Sequence, residues 1–257
     1  MFTNHIMTDE YTTLADFYDD IYAFRTQDVD FYTAKAREQP GPILEVGCGT
    51  GRVTLSLLAT DEEIYGVDAS PAMLQILRHK LVGRPELLPR FSEGDMRHFD
   101  LGKKFRQVFV PFRAFLHLDT VDEQLMTLRN FAKHLLAEGR LILDVFAPSY
   151  RLMSQEQMRM SLPAQRLPDG RIVTMADHVT YVHREQRLDV ERHIDTVLPD
   201  GTLKRRVEHF HLRYIFRYEM ELLLRQAGFA VETVYGDFAG RPYDYHSGEM
   251  IFVARLV

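Results

Sequence analysis

A single cysteine, Cys48, stands in the 257 residues, which excludes an internal disulfide framework and any four-cysteine metal site. No run approaches the roughly 18 uncharged apolar residues of a membrane span. The opening MFTNHIMTDE lacks a basic segment followed by an apolar one, so no secretory signal is expected. Positive charge is not in excess either: the formal net charge is −6, which argues against a dedicated nucleic-acid surface. Repeats and low-complexity segments are missing. A cytoplasmic location fits these absences. What is present is ordinary for a folded protein, with 46% hydrophobic and 26% charged residues, and the length sets an expectation of one or two domains with a sizeable core.

Periodicity divides the chain. Residues 9 to 38 read as one or two helices, with Leu14, Phe17, Tyr18, Ile21 and Tyr22 forming an aromatic-rich stripe, and Gln39-Pro40-Gly41-Pro42 ends them. A core strand is expected at Ile43 to Val46, then glycines, then a helix through Val53, Leu57 and Leu58. Ile64 to Val67 reads as a second strand. Ser70-Pro71 opens the next helix, serine as N-cap and proline at the first helical position. Residues 86 to 93 are moderately strand-like, and Phe105 to Val110 is a better strand. Thr120 and Glu123 have capping-box spacing, before a helix that Gly139 is expected to end and a strand Leu141 to Phe146. Such alternation of short apolar strands with helices belongs to a mostly parallel sheet covered on both faces.

After residue 146 the period changes. Three β-like runs, 172–182, 187–198 and 202–216, predict an antiparallel meander, with Pro199-Asp200-Gly201 as a hairpin turn. In the second run Leu188, Val190, Ile194 and Leu198 share a face with Arg192 and Thr196 between them. The third does not alternate cleanly, so a bulge or change of face is expected there. Glu219 to Ala227 reads as helix, and Val231 to Tyr235 and Met250 to Ala254 as final strands. The domain reading is 1–40 as a helical cap, 41–149 with 217–257 as the core, and 150–216 as an insertion.

Chemistry concentrates in Ile43-Leu44-Glu45-Val46-Gly47-Cys48-Gly49-Thr50-Gly51-Arg52. Glycines between a strand and a helix permit a tight turn and close backbone approach by a ligand, and the helix presents free N–H groups. A dinucleotide fingerprint needs G-x-G-x-x-G, but its third glycine position is Arg52, and the G-K-[ST] end of a phosphate loop is also missing. Glu45 beside the turn suits an ammonium group, while glycine N–H groups suit a carboxylate. Asp68 follows 21 residues after Gly47 at the end of the second strand, where a carboxylate accepts ribose hydroxyls. A ligand with an amino-acid end and a nucleoside end satisfies both features, and S-adenosylmethionine has those ends.

Through LEVGCGTG at 44–51, VDAS then PAML at 67–74, GDMRHF at 94–99, FRQVFVPFRAFLHL at 105–118 and HLLAEGRLILDVF at 134–146, the chain resembles the class I S-adenosylmethionine-dependent methyltransferases. The resemblance covers about residues 40 to 146. It implies an α/β, Rossmann-like seven-stranded sheet in order 3-2-1-4-5-7-6, here of the small-molecule branch with an N-terminal helical cap and an antiparallel insertion after strand five. It also implies that Glu45, Gly47, Cys48, Gly49 and Gly51 surround the methionine portion, that Asp68 binds the ribose, and that Asp95 lies near the adenine with Met96. Ala69 and Met73 would line the base pocket, and Pro111 and Phe112 would lie under the donor.

On the acceptor side, His117 is the best acid–base candidate, because a neutral imidazole can take a proton from an amine or hydroxyl. Tyr18 is the first choice among Tyr11, Tyr18 and Tyr22 for a contact from the cap, and Arg113 is placed to anchor an anionic group. His209 and His211 would share a strand face, but no carboxylate partner is fixed by their spacing and no metal is expected. The reading is methyl transfer to a small-molecule acceptor, with nitrogen preferred to oxygen, by a monomer or homodimer that binds neither nucleic acid nor membrane. Small-molecule O-methylation, a noncatalytic S-adenosylmethionine-binding or regulatory protein, and an NAD-dependent oxidoreductase are the alternatives.

Overall fold

The computed structural model describes residues 14–257; Tyr11 and the start of the expected cap lie outside the described residues. Helices α1 (Ala15–Tyr22) and α2 (Gln27–Glu38) are followed by β1 (Ile43–Val46), α3 (Arg52–Leu58), β2 (Ile64–Asp68), α4 (Pro71–Lys80), β3 (Phe91–Glu93), β4 (Phe105–Val110), α5 (Val121–His134) and β5 (Leu135–Phe146). A short helix α6 (Tyr150–Met153) leads into β6 (Gln157–Ser161), β7 (Gln165–Arg166), β8 (Ile172–Val182), β9 (Arg187–Val197) and β10 (Leu203–Arg213). The chain closes with α7 (Arg217–Gln226), β11 (Phe229–Tyr235) and β12 (Glu249–Leu256).

The main sheet has seven strands in the order β11-β12-β5-β4-β1-β2-β3, the expected 3-2-1-4-5-7-6. Its seventh strand, β12, is antiparallel to both neighbours. Alternate strand residues feed two cores. Leu44, Val108, Leu141 and Phe252 pack with Leu128 and Phe131 of α5 and Leu223 of α7. On the other face Ile43, Phe109, Ile142 and Ile251 pack with Phe31 and Tyr32 of α2, Leu57 of α3 and Leu77 of α4. Both faces are therefore covered, which is why these strands read as continuous apolar runs. Among the described residues no helix is long and apolar enough to cross a membrane.

Side-chain caps place the helices. Ser70 Oγ accepts from Met73 N–H, with Pro71 at the first helical position. At α5 the capping box is complete, Thr120 and Glu123 each bonding the other's backbone.

The helix α5 ends at His134, five residues before the expected stop at Gly139. Leu135 already has extended backbone and pairs with Phe105. A shift in register between Phe105 and Gln107 absorbs Glu138, at φ 58°, and Gly139. Residues 86 to 93 are a 3₁₀ turn at Pro85–Arg90 and only three strand residues, since Pro89 removes a ladder donor.

The inserted sheet runs β10-β9-β8-β6, with β7 on β8. Of the two departures expected in the third run, the structure shows the change of face and not the bulge: Glu208 and Arg213, five residues apart and so on opposite faces, are both buried. Pairing from Leu203↔Val197 to Arg213↔Arg187 is unbroken. Its uneven hydropathy also reflects cover, since residues 203–207 are all exposed. The short strands β6 and β7 carry no sequence signal of comparable strength. On the inner face of this sheet Val173, Met175 and Ile194 pack against Leu14, Phe17, Ile21 and Tyr22 of the α1 region.

Candidate active site

The cleft opens at the carboxyl edge of β1, β2, β3 and β4, where open α/β sheets hold ligands. Three glycines make the β1–α3 turn, Gly47, Gly49 and Gly51 at φ 75°, 53° and 88°. Gly51 is required twice over. Its left-handed backbone forms the N-cap of α3, and a Cβ there would drive into the Leu77 side chain. Arg52 begins the helix and turns away from the cleft to Asp28, with guanidinium nitrogens at 2.8 and 2.5 Å from its two carboxylate oxygens. That use explains an arginine where a dinucleotide site needs glycine.

Asp68 braces the turn. Its Oδ2 accepts Gly49 N–H at 2.7 Å and its Oδ1 accepts Ser70 N–H at 2.8 Å. An ionised carboxylate has about four lone-pair positions, so a further lone pair on each oxygen is available to hydroxyls. Burial raises its carboxyl above the usual range, against the pull of the Ser70 and Gly49 amides. Farther along, Asp95 is raised by burial, but the Arg97 guanidinium outweighs this and holds its carboxyl below the usual range. Arg97 bridges Asp95 and Glu123, each at 2.5 Å.

At the opposite end the wall is Pro111, Phe112, Ala114 and His117, roofed by Tyr18 of α1. Tyr18, Tyr22 and Phe112 form an aromatic group, with Tyr22 and Phe112 ring centroids 4.9 Å apart. Burial pushes the His117 imidazole down to about 4, with His211 and Arg192 adding to the shift and Asp119 opposing it. It is therefore neutral at pH 7. His211, on the same strand as His209, meets Asp119 at 2.5 Å.

The space in the cleft is about 760 Å³ including its open mouth. It brings together Tyr18, Gly47, Gly49, Asp68, Ala69, Met73, Asp95, Met96, Pro111, Phe112 and His117. Four expected residues do not line it. Glu45 lies 2% exposed behind the turn, accepting the Thr54 hydroxyl at 2.5 Å, and burial pushes its carboxyl up to about 8 against Thr54 and Arg52. Cys48 is buried against Gly66, where burial, Asp68 and Glu45 push its thiol well up. Gly51 supports the helix start. Arg113 is held by Glu249 at 2.5 Å.

Residues that sequence reasoning passed over sit directly behind the wall. Asp144 of β5 accepts the N–H groups of both Phe112 and Arg113, and Tyr32 of α2 donates its hydroxyl to the same carboxylate. The only signal available was a lone acid within the apolar run LILDVF. Asp19 of α1, accepting from the Thr50 hydroxyl and pairing with Lys80, had none.

The cleft offers a glycine turn at Gly47 and Gly49, the Asp68 carboxylate with spare lone pairs, and an apolar stretch of Ala69, Met73 and Met96 with Asp95 beside it. The family described as "Methyltransferase domain" matches residues 43–139. With these motifs and this strand order, the chain is an S-adenosylmethionine-dependent methyltransferase. It is 27% identical to a cypemycin N-terminal methyltransferase from Streptomyces sp, over 82% of this chain and 81% of that one. Identity is 29% to a dTDP-3-amino-3,4,6-trideoxy-alpha-D-glucopyranose N,N-dimethyltransferase from Streptomyces venezuelae, over 88% and 94%. The S-adenosylmethionine-bound structure of an amino pentose methyltransferase from Micromonospora echinaspora superposes with a TM-score of 0.67 at 26% identity, covering 98% of this chain and 93% of that one. This methyltransferase takes its methyl group from S-adenosylmethionine.

Proposed function

We propose that the acceptor is a small molecule methylated on an amine nitrogen, and that Asp68 and the Gly47–Gly51 turn hold the donor with its methyl toward Tyr18, Phe112 and His117. The observation that carries this is the neutral imidazole of His117 beside aromatic rings at one end of the cleft. Two of the relatives named above, the cypemycin N-terminal methyltransferase and the N,N-dimethyltransferase, are named for nitrogen and support it. When bound, S-adenosylmethionine supplies an electrophilic methyl on a sulfonium. Passage of that methyl to an amine would form the N–C bond as the S–C bond broke, leaving S-adenosylhomocysteine.

The chain's part is positioning. The Tyr18 ring suits a cation such as a sulfonium or an ammonium, beside a Phe112 ring that already carries the Arg52 guanidinium 4.7 Å from its centroid. The nitrogen attacks through its free lone pair, and the neutral imidazole of His117 can accept a hydrogen bond from the amine N–H and so orient it. Alignment of the two reacting atoms supplies much of the rate. Residues 41–149 with 217–257 act in this reading as the donor-binding core, with 1–40 and 150–216 shaping the acceptor side. The acidic chain takes no nucleic acid and binds no membrane, and it works in the cytoplasm as a monomer or homodimer.

The test is formation of S-adenosylhomocysteine with a panel of amino sugars and of peptides with free N-terminal amines, each set against its hydroxyl counterpart. Turnover confined to the amines is expected. Methylation of the hydroxyl partners would shift the assignment to oxygen, and tight donor binding with no acceptor turned over would favour a binding protein.

A further inference from the structure

Phe112 and Arg113 stand at φ 57° and 64°, the one place among the described residues where two consecutive non-glycine residues adopt left-handed backbone. L side chains take that conformation only where the surroundings over-determine it. One buried side chain does so here. Asp144 is 1% exposed; its Oδ1 accepts Phe112 N–H at 2.9 Å and its Oδ2 accepts Arg113 N–H at 3.0 Å. The Tyr32 hydroxyl donates to Oδ1 at 2.7 Å. Successive amides converging on an anion form a backbone nest. The other charged groups facing this carboxylate are Glu249 of β12, Arg113 itself and Asp28 of α2. Asp144 does not line the cleft, whereas Pro111, Phe112, Ala114 and His117, on both sides of the turn, do.

We infer that Asp144 is a positioning residue for methyl transfer: from one layer beneath the cleft, its carboxylate fixes the 112–113 turn that sets Phe112 and His117 against the acceptor. This rests on the methyl-transfer reading of that end of the cleft. The anion is the competent form. An ionised carboxylate is acceptor-only, so all three converging donors are satisfied, whereas a protonated one brings an O–H among them. Burial and then Glu249 push the Asp144 carboxyl up to about 7, against the pull of Tyr32 and Arg113. The Tyr32 hydroxyl is raised well above its ordinary value, chiefly by burial, and stays a donor. His117, pushed down to about 4, does not titrate in the same range.

The experiment follows the backbone amides of Phe112 and Arg113 by NMR in isotopically labelled protein saturated with S-adenosylhomocysteine, across roughly pH 5.5 to 9. Both resonances are expected to move together with an apparent pKa near 7. The titration should vanish in Asp144→Asn. In Tyr32→Phe it should move upward, because the anion loses one hydrogen bond. With an amine that the parent protein methylates, Asp144→Asn should lower kcat by about 100-fold while the dissociation constant of S-adenosylhomocysteine stays within about threefold. Two results would overturn the inference alone: amides that stay fixed across the range although S-adenosylhomocysteine is bound, or proportional loss of binding and kcat. If Asp144→Asn does not fold, the direction of the Tyr32→Phe shift decides, and an unmoved or lowered pKa overturns it. Failure of the parent protein to bind S-adenosylhomocysteine would instead strike the methyl-transfer reading, and this inference with it.

Discussion

Asp68 does two things at once, and its removal separates them. Its oxygens hold Gly49 and Ser70 in place while presenting acceptors to the cleft. Asp68→Ala is expected to weaken binding of S-adenosylmethionine by about 1.5–3 kcal/mol, the scale of a lost charge-assisted hydrogen bond, measured by isothermal titration on protein shown to be folded. Unchanged affinity would remove it as a ribose ligand. His117→Ala should spare donor affinity and cut kcat by about 100-fold, the scale of lost alignment of the reacting amine. Because burial holds its imidazole near 4, the parent protein should show no acid limb from this group between about pH 5 and 8. Single residues were unevenly legible in the sequence. Gly47, Gly49 and Asp68 sit in a strand–turn–helix pattern whose spacing carries meaning. Asp144 and Asp19 act across more than thirty residues of chain, and a contact of that span leaves no local trace.

The β1–α3 turn converts a one-atom change into a folding problem. Gly51 combines a left-handed backbone with a Cβ position already occupied by Leu77, so Gly51→Ala should cost about 2 kcal/mol or more in denaturant unfolding. Gly83→Ala, where a Cβ meets nothing within 4 Å, is the control and should stay within about 0.5 kcal/mol of the parent. Elements with a local signal were readable in advance: α4 from Ser70-Pro71, α5 from its capping box, and the strands from their apolar runs. The end of α5 was not, because Leu135 leaves the helix to pair with Phe105, a choice made by the sheet. The unbroken register of β10 has the same origin. Its exposed first half looked irregular as sequence, yet the ladder to β9 depends on backbone groups that every one of its residues possesses.

Buried acids give the whole molecule a pH signature. Glu45 and Asp144 are raised to about 8 and about 7, so each binds its proton more tightly folded than unfolded. Their contribution is fully present below the unfolded carboxyl range and is lost as pH rises through those values. His117, lowered to about 4, acts oppositely: its contribution is present above the unfolded value of about 6.5 and is lost as pH falls toward 4. Between about pH 6.5 and 8 only the acids act, and Tm of the ligand-free protein should fall across that interval. Glu45→Gln, which keeps an acceptor for Thr54, should flatten the fall; an equally steep decline would assign it elsewhere. The overall architecture was legible because alternation and insertion both show in hydropathic period, whereas the way the cap meets the insertion was not. That junction governs traffic. α1 is fastened on one side to Thr50 and Lys80 through Asp19 and on the other to Val173, Met175 and Ile194 of the inserted sheet, with Tyr18 over the cleft between them. If exchange of spent donor for fresh is limited by parting one of these fastenings, turnover is expected to slow in viscous solvent.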